Sequence, residues 1–208
     1  MFVPLSYNVR SLFVRRSATL PPVLGIGATV AIVAGVLALQ QGFASLYRTS
    51  GREDVAIMLR PGASNEGVSM FSKERALQIV KGLPEIRTGA DGLPRASMEC
   101  FLAVRRDKVG GGETNVPIRG VQPMTLEIRA DDFELLEGRR FEPGTNEVVI
   151  GHKLQDRIQN CRLGEVVQIN QTPFRVVGVF RTGGPFDSEI WGDLDRMLAA
   201  LDRFGPNS

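Results

Sequence analysis

The chain has 208 residues, room for one ordinary domain or two small ones. Its formal net charge of +2 is too small to argue for nucleic-acid binding. One histidine, His152, and two cysteines, Cys100 and Cys161, are too few for a metal cluster or a disulfide framework. Hydrophobic residues make up 43% of the chain and charged residues 23%, an average that suits a soluble protein. That average hides a concentration of apolar residues in one early block, and the remainder is polar enough to fold in water.

No charged residue occurs between Arg16 and Arg48, and Pro21–Leu39 is almost wholly apolar. About 20 such residues cross the hydrocarbon core of a bilayer, and only a helix satisfies its own backbone there. A transmembrane helix is therefore expected over 21–47, with Pro21 and Pro22 at its start, where a missing N–H costs little. A cleaved signal peptide has a shorter apolar core and a small-residue cleavage site, and this block fits that description less well. Arg10, Arg15 and Arg16 precede the span, whereas Arg48 and Arg52 are followed at once by Glu53 and Asp54. The positive-inside rule then puts residues 1–20 in the cytoplasm and everything after Tyr47 outside it. Leu5 to Arg16 has Leu5, Val9, Leu12 and Phe13 on one helical face. It reads either as an amphipathic elbow in the membrane interface or as a plain basic flank. Within the span, Gly27, Ala31 and Gly35 recur at every fourth position, a spacing that lets another helix approach closely, although glycine is common in membrane helices anyway.

The extracytoplasmic part is expected over 48–208 as an α+β domain. Its first portion, about 52–109, reads strand–helix–strand. Val55–Leu59 is a strand ended by Pro61-Gly62. Lys73–Lys81 is a helix capped by Ser72, stopped by Gly82 and Pro84, with Ala76, Leu77, Val80 and Leu83 facing a core. Ala96–Arg105 is the second strand. Gly110-Gly111-Gly112 marks a boundary or a tight turn. From about 113 to 187 the chain is β-rich, fit for a curved sheet or partial barrel. Asn115–Val121 and Glu147–Ile150 are strands, Asp132–Glu137 is a helical or extended connector, and Lys153–Asn160 is a short helix with Leu154 and Ile158 inward. Glu165–Asn170 and Phe174–Phe180 alternate around Gln171-Thr172-Pro173 as a hairpin, with Gly178 at a bulge or bend. A closing helix runs 193–204, capped by Asp193, with Leu194, Met197, Leu198, Leu201 and Phe204 on its apolar side, and Gly205-Pro206 ends it.

No catalytic constellation emerges, so no enzyme activity is expected. His152 follows Gly151 at a strand-to-helix corner, where a cap or a surface position is the ordinary role, and triad chemistry also needs an oriented base and an oxyanion site. Asp131-Asp132 and Glu134 are most simply a solvated face. The Gly110–Gly112 run lacks a following lysine and a helix start, so it is not a phosphate loop. Cys100 and Cys161 face an oxidising compartment in this topology. They are either bonded to each other or two independent buried thiols, and disulfide geometry is strict.

The order of these elements resembles the MacB-like, FtsX-related permeases of ABC transporters. The resemblance rests on Gly138-Arg139-Arg140-Phe141, on Val149-Ile150-Gly151, on Leu163-Gly164-Glu165-Val166-Val167, on the Phe174–Val179 strand and on Ser188–Asp193. It covers nearly the whole chain, and each motif alone is weak. These residues look structural, and no substrate-binding role is carried over to them. The resemblance implies a bacterial inner-membrane permease subunit, or part of one, that binds no cofactor itself. A cytoplasmic ATPase partner would use ATP and drive the periplasmic domain mechanically. Further permease helices or a second permease copy, an adaptor or an outer-membrane channel would be partners, besides the lipid bilayer. Family members cross the membrane three more times, so the chain is expected to be the front part of such a subunit. The competing expectation is a stand-alone membrane-anchored binding or adaptor module.

Overall fold

A computed structural model describes residues 16–50 and 54–208, which form two compact units divided at Ser50 and Gly51. Among the described residues the first unit consists of one helix, α1 (Arg16–Ser50). Its stretch Ser17–Phe43 is long and apolar enough to cross a membrane, and none of its side chains is buried. A helix of that length that is apolar all round suits lipid. Gly27, Ala31 and Gly35 lie exposed along it. The helix begins at Arg16, so Pro21 and Pro22 sit inside it rather than at its first turn. There each proline removes one backbone hydrogen bond, and a bend is the usual consequence. The elbow proposed for Leu5–Arg16 lies, apart from Arg16, outside the described residues.

The second unit is a mixed α/β domain built on a curled seven-stranded sheet. Its strands are β1 (Cys100–Asp107), β2 (Glu113–Val121), β3 (Glu134–Gly138), β4 (Glu147–Gly151), β5 (Val166–Ile169), β6 (Thr172–Arg181) and β7 (Ile190–Asp193). The order is β1-β2-β7-β4-β6-β3, with β5 also on β6. β2–β7 and β4–β6 are parallel, and the other pairs are antiparallel. β5 pairs with the first half of β6 and β3 with the second, so the two share one edge of that long strand. The register slips where Val148 faces Val176 and Val149 faces Gly178, a bulge beside the glycine that the sequence marks. Three helices flank the strands: α2 (Lys73–Gly82), α3 (Pro123–Ile128) and α4 (Leu194–Ala200).

Alternation sorts the strand residues onto two faces. On one, Val116, Ile118, Val148, Ile150, Val167, Phe174, Val176 and Ile190 bury against Leu194, Met197 and Leu198 of α4. On the other, Val121, Val149, Phe180 and Trp191 pack with Leu126, Phe133 and Phe141. Paired Gly120 and Gly192 let α4 come close, since a Cβ at either would lie 2.8 or 2.5 Å from atoms of Met197.

The β5–β6 hairpin is as the alternation predicts, with Val167 opposite Phe174. Its turn is tighter than expected, because Asn170 takes a left-handed φ of 51° and Thr172 and Pro173 already belong to β6. α2 is capped by the Ser72 hydroxyl accepting from the Arg75 N–H at 3.2 Å, and Asp193 caps α4 through the N–H groups of Asp195 and Arg196. Gly110–Gly112 forms a tight turn joining β1 to β2, and β1 pairs along its whole length with β2. β1 therefore belongs to the β-rich sheet and not to a separate strand–helix–strand portion.

Several expected elements differ. Val55–Leu59 forms no strand, because none runs beside it among the described residues and a strand needs a ladder partner. β1 starts at Cys100 because the residues before it are tied elsewhere. The Met98 N–H donates to Gln122 Oε1, and Ser97 shares a hydroxyl bond with Thr125. Asp132–Glu137 resolves into β3, which begins at Glu134. The predicted helix over Lys153–Asn160 is only a 3₁₀ turn, His152–Leu154. Backbone bonds from Val109 to Arg157 and from Gln159 to Asp107 pull the following residues toward the end of β1. Leu154 and Ile158 are nevertheless buried, as the pattern required. α4 stops at Ala200, because Asp202 takes a left-handed φ of 53° and Arg203 N–H bonds back to Leu198 O. That closure is a Schellman-type end, and it leaves Phe204 outside the helix and 92% exposed. Leu77 of α2 is likewise exposed rather than part of a core face.

Candidate functional site

The strongest polar constellation in the domain is built around Arg119, in the middle of β2. Its strand neighbours are apolar, and alternation turns its side chain to the face that also holds Trp191, its partner across the β2–β7 ladder. Arg119 is only 2% exposed. Its Nε donates to Glu189 at 2.9 Å, one terminal nitrogen donates to Glu99 at 2.8 Å and to Glu66 at 2.9 Å, and the other to Glu66 at 3.1 Å. Glu189 also accepts the Trp191 indole N–H at 2.7 Å, and Glu66 accepts the Ser208 hydroxyl at 2.9 Å. The planar fork of a guanidinium is suited to holding several carboxylates at once. Phe101 and Phe186 lie against the guanidinium, with ring centroids 5.1 and 5.2 Å from its central carbon, and the Arg129 guanidinium lies 4.4 Å from the same Phe186 centroid. The rings continue through Trp191 into Phe180 and Phe133, with centroid separations of 4.7 to 5.9 Å.

The three carboxylates come from three places. Glu66 belongs to a 3₁₀ turn, Glu66–Val68, in the stretch that precedes α2; Glu99 enters β1; Glu189 enters β7. A short strap, Gly205–Ser208, joins the same site. Ser208 and Asn207 exchange backbone bonds with Glu99, and the Asn207 side chain donates to the carbonyls of Glu66 and Ser69.

Burial pushes the Glu66 carboxyl up, but the hydrogen bonds and charge of Arg119, with the Ser208 hydroxyl, outweigh it and hold its pKa below the usual carboxylate range. A depressed folded-state pKa contributes stability above the unfolded pKa and loses it as pH falls through the folded one. Thermal melts are therefore expected to show a loss of stability below about pH 4.5, near the ordinary carboxylate pKa. The Glu66→Gln variant should lose less across that range. An equal loss in both proteins would contradict the assignment.

Beside this cluster lies a cavity of about 750 Å³. Val55–Met58, the Ala76–Ile79–Val80–Leu83 side of α2, Met98 and Ile128 supply apolar wall; Arg87, Arg95 and Arg129 supply cationic wall, and Glu99 and Ser208 are shared with the Arg119 cluster.

Of the other residues singled out by sequence, Cys100 follows Glu99 directly but packs in the core on the opposite face of the sheet. Cys100 and Cys161 are both buried and free, not bonded to each other. Burial pushes each thiol up to about 11. Only a minute fraction is then thiolate at neutral pH, and thiolate is the reactive form. Maleimide at pH 7.5 is expected to label neither in the folded protein and both after denaturation; fast labelling of the native chain would contradict their burial. His152 has its Nδ1 buried without a hydrogen-bond partner, 3.8 Å from the Asp187 carboxylate that Lys153 and Thr182 already engage. Arg139 of the Gly138–Phe141 turn pairs with Glu147, which fixes the turn to β4. Among the described residues no group of His, Cys, Asp and Glu side chains is arranged to hold a metal ion.

Arg119, Glu66 and Glu99 were not picked out from sequence. The available signal was a lone charge, Arg119, at an inward position of the apolar strand NVPIRGV, which requires a buried counter-charge somewhere. Sequence spacing does not reveal its partners.

The family described as MacB-like periplasmic core domain matches residues 23–207. Among solved structures, the extracellular domain of the ABC-type transporter YknZ from Gram-positive bacteria aligns with a TM-score of 0.51 at 15% identity, covering 72% of this chain and 76% of that one. The periplasmic region of MacB from Actinobacillus actinomycetemcomitans aligns with a TM-score of 0.46 at 15% identity, covering 67% of this chain and 63% of that one. No protein of curated function matches the chain.

Proposed function

This chain belongs to the family of MacB-like periplasmic core domains, and from there we propose that it serves as the permease subunit, or the front part of one, of an ABC-type export or mechanotransmission system. A membrane-anchored permease component is the coarser statement that the family match and the apolar α1 together carry. In the finer reading the N-terminus lies in the cytoplasm, the domain lies on the periplasmic side of a bacterial inner membrane, and a cytoplasmic ATPase changes the shape of the domain. The single observation that carries it is that the match runs from within α1 through the sheet to residue 207, so helix and domain belong to one unit of descent. Gly27, Ala31 and Gly35 would then pack on further permease helices or on a second permease copy. An adaptor or outer-membrane channel could meet the domain beyond the membrane.

The test is affinity isolation of the chain in mild detergent from the membranes of its bacterium. An ATPase with a phosphate-binding loop should accompany it, and leucine at Gly27, Ala31 and Gly35 together should weaken that association. A folded, membrane-inserted chain that never brings down an ATPase would overturn the coupling. The cavity beside Arg119 then favours the second reading, a membrane-anchored binding module without transport activity.

A further inference from the structure

We propose that the Arg119 cluster is the clasp that decides whether the chain segment leading into α2, together with the strap Gly205–Ser208, moves with the sheet or separately from it. The inference deepens the permease reading, since it names where a displacement delivered near the start of the domain would enter the sheet.

Connectivity supports it first. Segment 54–72 follows the helix unit in sequence, and it forms no strand with the sheet. Its hydrogen bonds include two to Arg119 and several to the strap, among them the Phe71 N–H to the Pro206 carbonyl at 3.2 Å, besides a long contact from Arg203 to the Met70 sulfur. Glu66 reaches Arg119 by two nitrogens, and the Ser69 hydroxyl and carbonyl bond to Asn207. Asn207 in turn hangs on Glu99, which Arg119 also holds. Both routes thus end on one guanidinium in β2.

Chemistry supports it second. One guanidinium faces three carboxylates in a site closed by Phe101, Phe186 and Trp191. Excluding water strengthens each charged hydrogen bond while it is made and penalises each carboxylate left behind when it is broken. Such a joint has two states, closed or open, and few intermediate ones. Glu66 is the least buried member, at 18% exposure, against 11% for Glu99 and 7% for Glu189. It is therefore the pair that can part and be solvated while Glu99 and Glu189 keep Arg119 charged and seated.

The experiment is hydrogen exchange by mass spectrometry on the full chain in nanodiscs, with Glu66→Gln and Arg119→Lys compared with the unaltered protein. Glu66→Gln keeps Arg119 and two carboxylates, so folding is not at stake. Exchange in peptides covering 60–72 and 205–208 is expected to quicken about tenfold or more, with β4 and β6 unchanged. Arg119→Lys, which keeps the charge but loses the fork, should do the same. Unchanged exchange in 60–72 and 205–208 would overturn the clasp, and so would equal quickening in β4 and β6, since that marks a general loss of stability. No ATPase enters the measurement, so its failure is distinct from a failure of the permease reading.

Discussion

Replacing Arg119 by methionine is expected to destabilise the domain by about 3–5 kcal/mol, the usual cost of removing one partner from a buried ion pair. Methionine fills much of the same volume, so the loss is not mainly a cavity. It comes from Glu99, left buried without the Arg119 donor, and from Glu189, left with the Trp191 N–H alone. For a domain of this size each kcal/mol moves the melting temperature by roughly 2–4 °C, so a drop of about 6–20 °C is expected by circular dichroism. Adding Glu99→Gln and Glu189→Gln to Arg119→Met should restore part of the lost stability, because neutral amides cost less to bury than stranded carboxylates. A drop of less than about 1 kcal/mol, or a further fall in the triple variant, would contradict the view of the cluster as a charge-balanced unit.

Trp191→Ala is the other large effect. Trp191 is wholly buried and touches Phe133, Phe180 and Phe186, and its N–H is bonded to Glu189. Truncating a buried tryptophan costs about 3–5 kcal/mol through lost transfer energy and the cavity that remains. Trp191→Phe keeps much of the packing but leaves a Glu189 oxygen with one donor fewer, so about 1–3 kcal/mol is expected. The two sites share Glu189, so Arg119→Met and Trp191→Ala should not add. The double variant is expected to lose less than the two single losses together. Denaturant melts measure this, and simple additivity would mean that the aromatic stack and the clasp are independent.

What was legible in the sequence was local. The apolar run of α1, the capping residues Ser72 and Asp193, the Gly110–Gly112 turn and the β5–β6 alternation each carry their signal within a few residues. They are the parts that formed largely as expected. Elements whose existence depends on distant partners were not legible. Val55–Leu59 has strand-forming side chains but no neighbouring strand among the described residues, and 157–159 is held at the end of β1 by backbone bonds rather than in a helix. The end of α4 turned on the conformation of Asp202, a residue that does not ordinarily announce a helix stop as Gly205 does.

The Arg119 cluster was hidden for the same reason. Its partners lie 20, 53 and 70 positions away, and no spacing rule links them. The lone arginine inside an apolar strand said that counter-charges must exist, but only the topology chose Glu66, Glu99 and Glu189. The family resemblance, by contrast, was legible because it rests on turn glycines and strand valines in a fixed order. The positions that carry it sit in the turns and strands of the sheet: Gly138 before Arg139, Gly151 at the end of β4, and Ile190–Asp193 as β7.

Location is the most direct test of a membrane-held permease component whose domain works outside the cytoplasm. A cysteine placed at Phe204, which is 92% exposed, can be probed with a membrane-impermeant maleimide in intact spheroplasts, since Cys100 and Cys161 are buried. Rapid labelling from outside is expected, with no increase on permeabilisation. A residue that stays protected until the cells are lysed would put the domain in the cytoplasm and contradict a placement outside it.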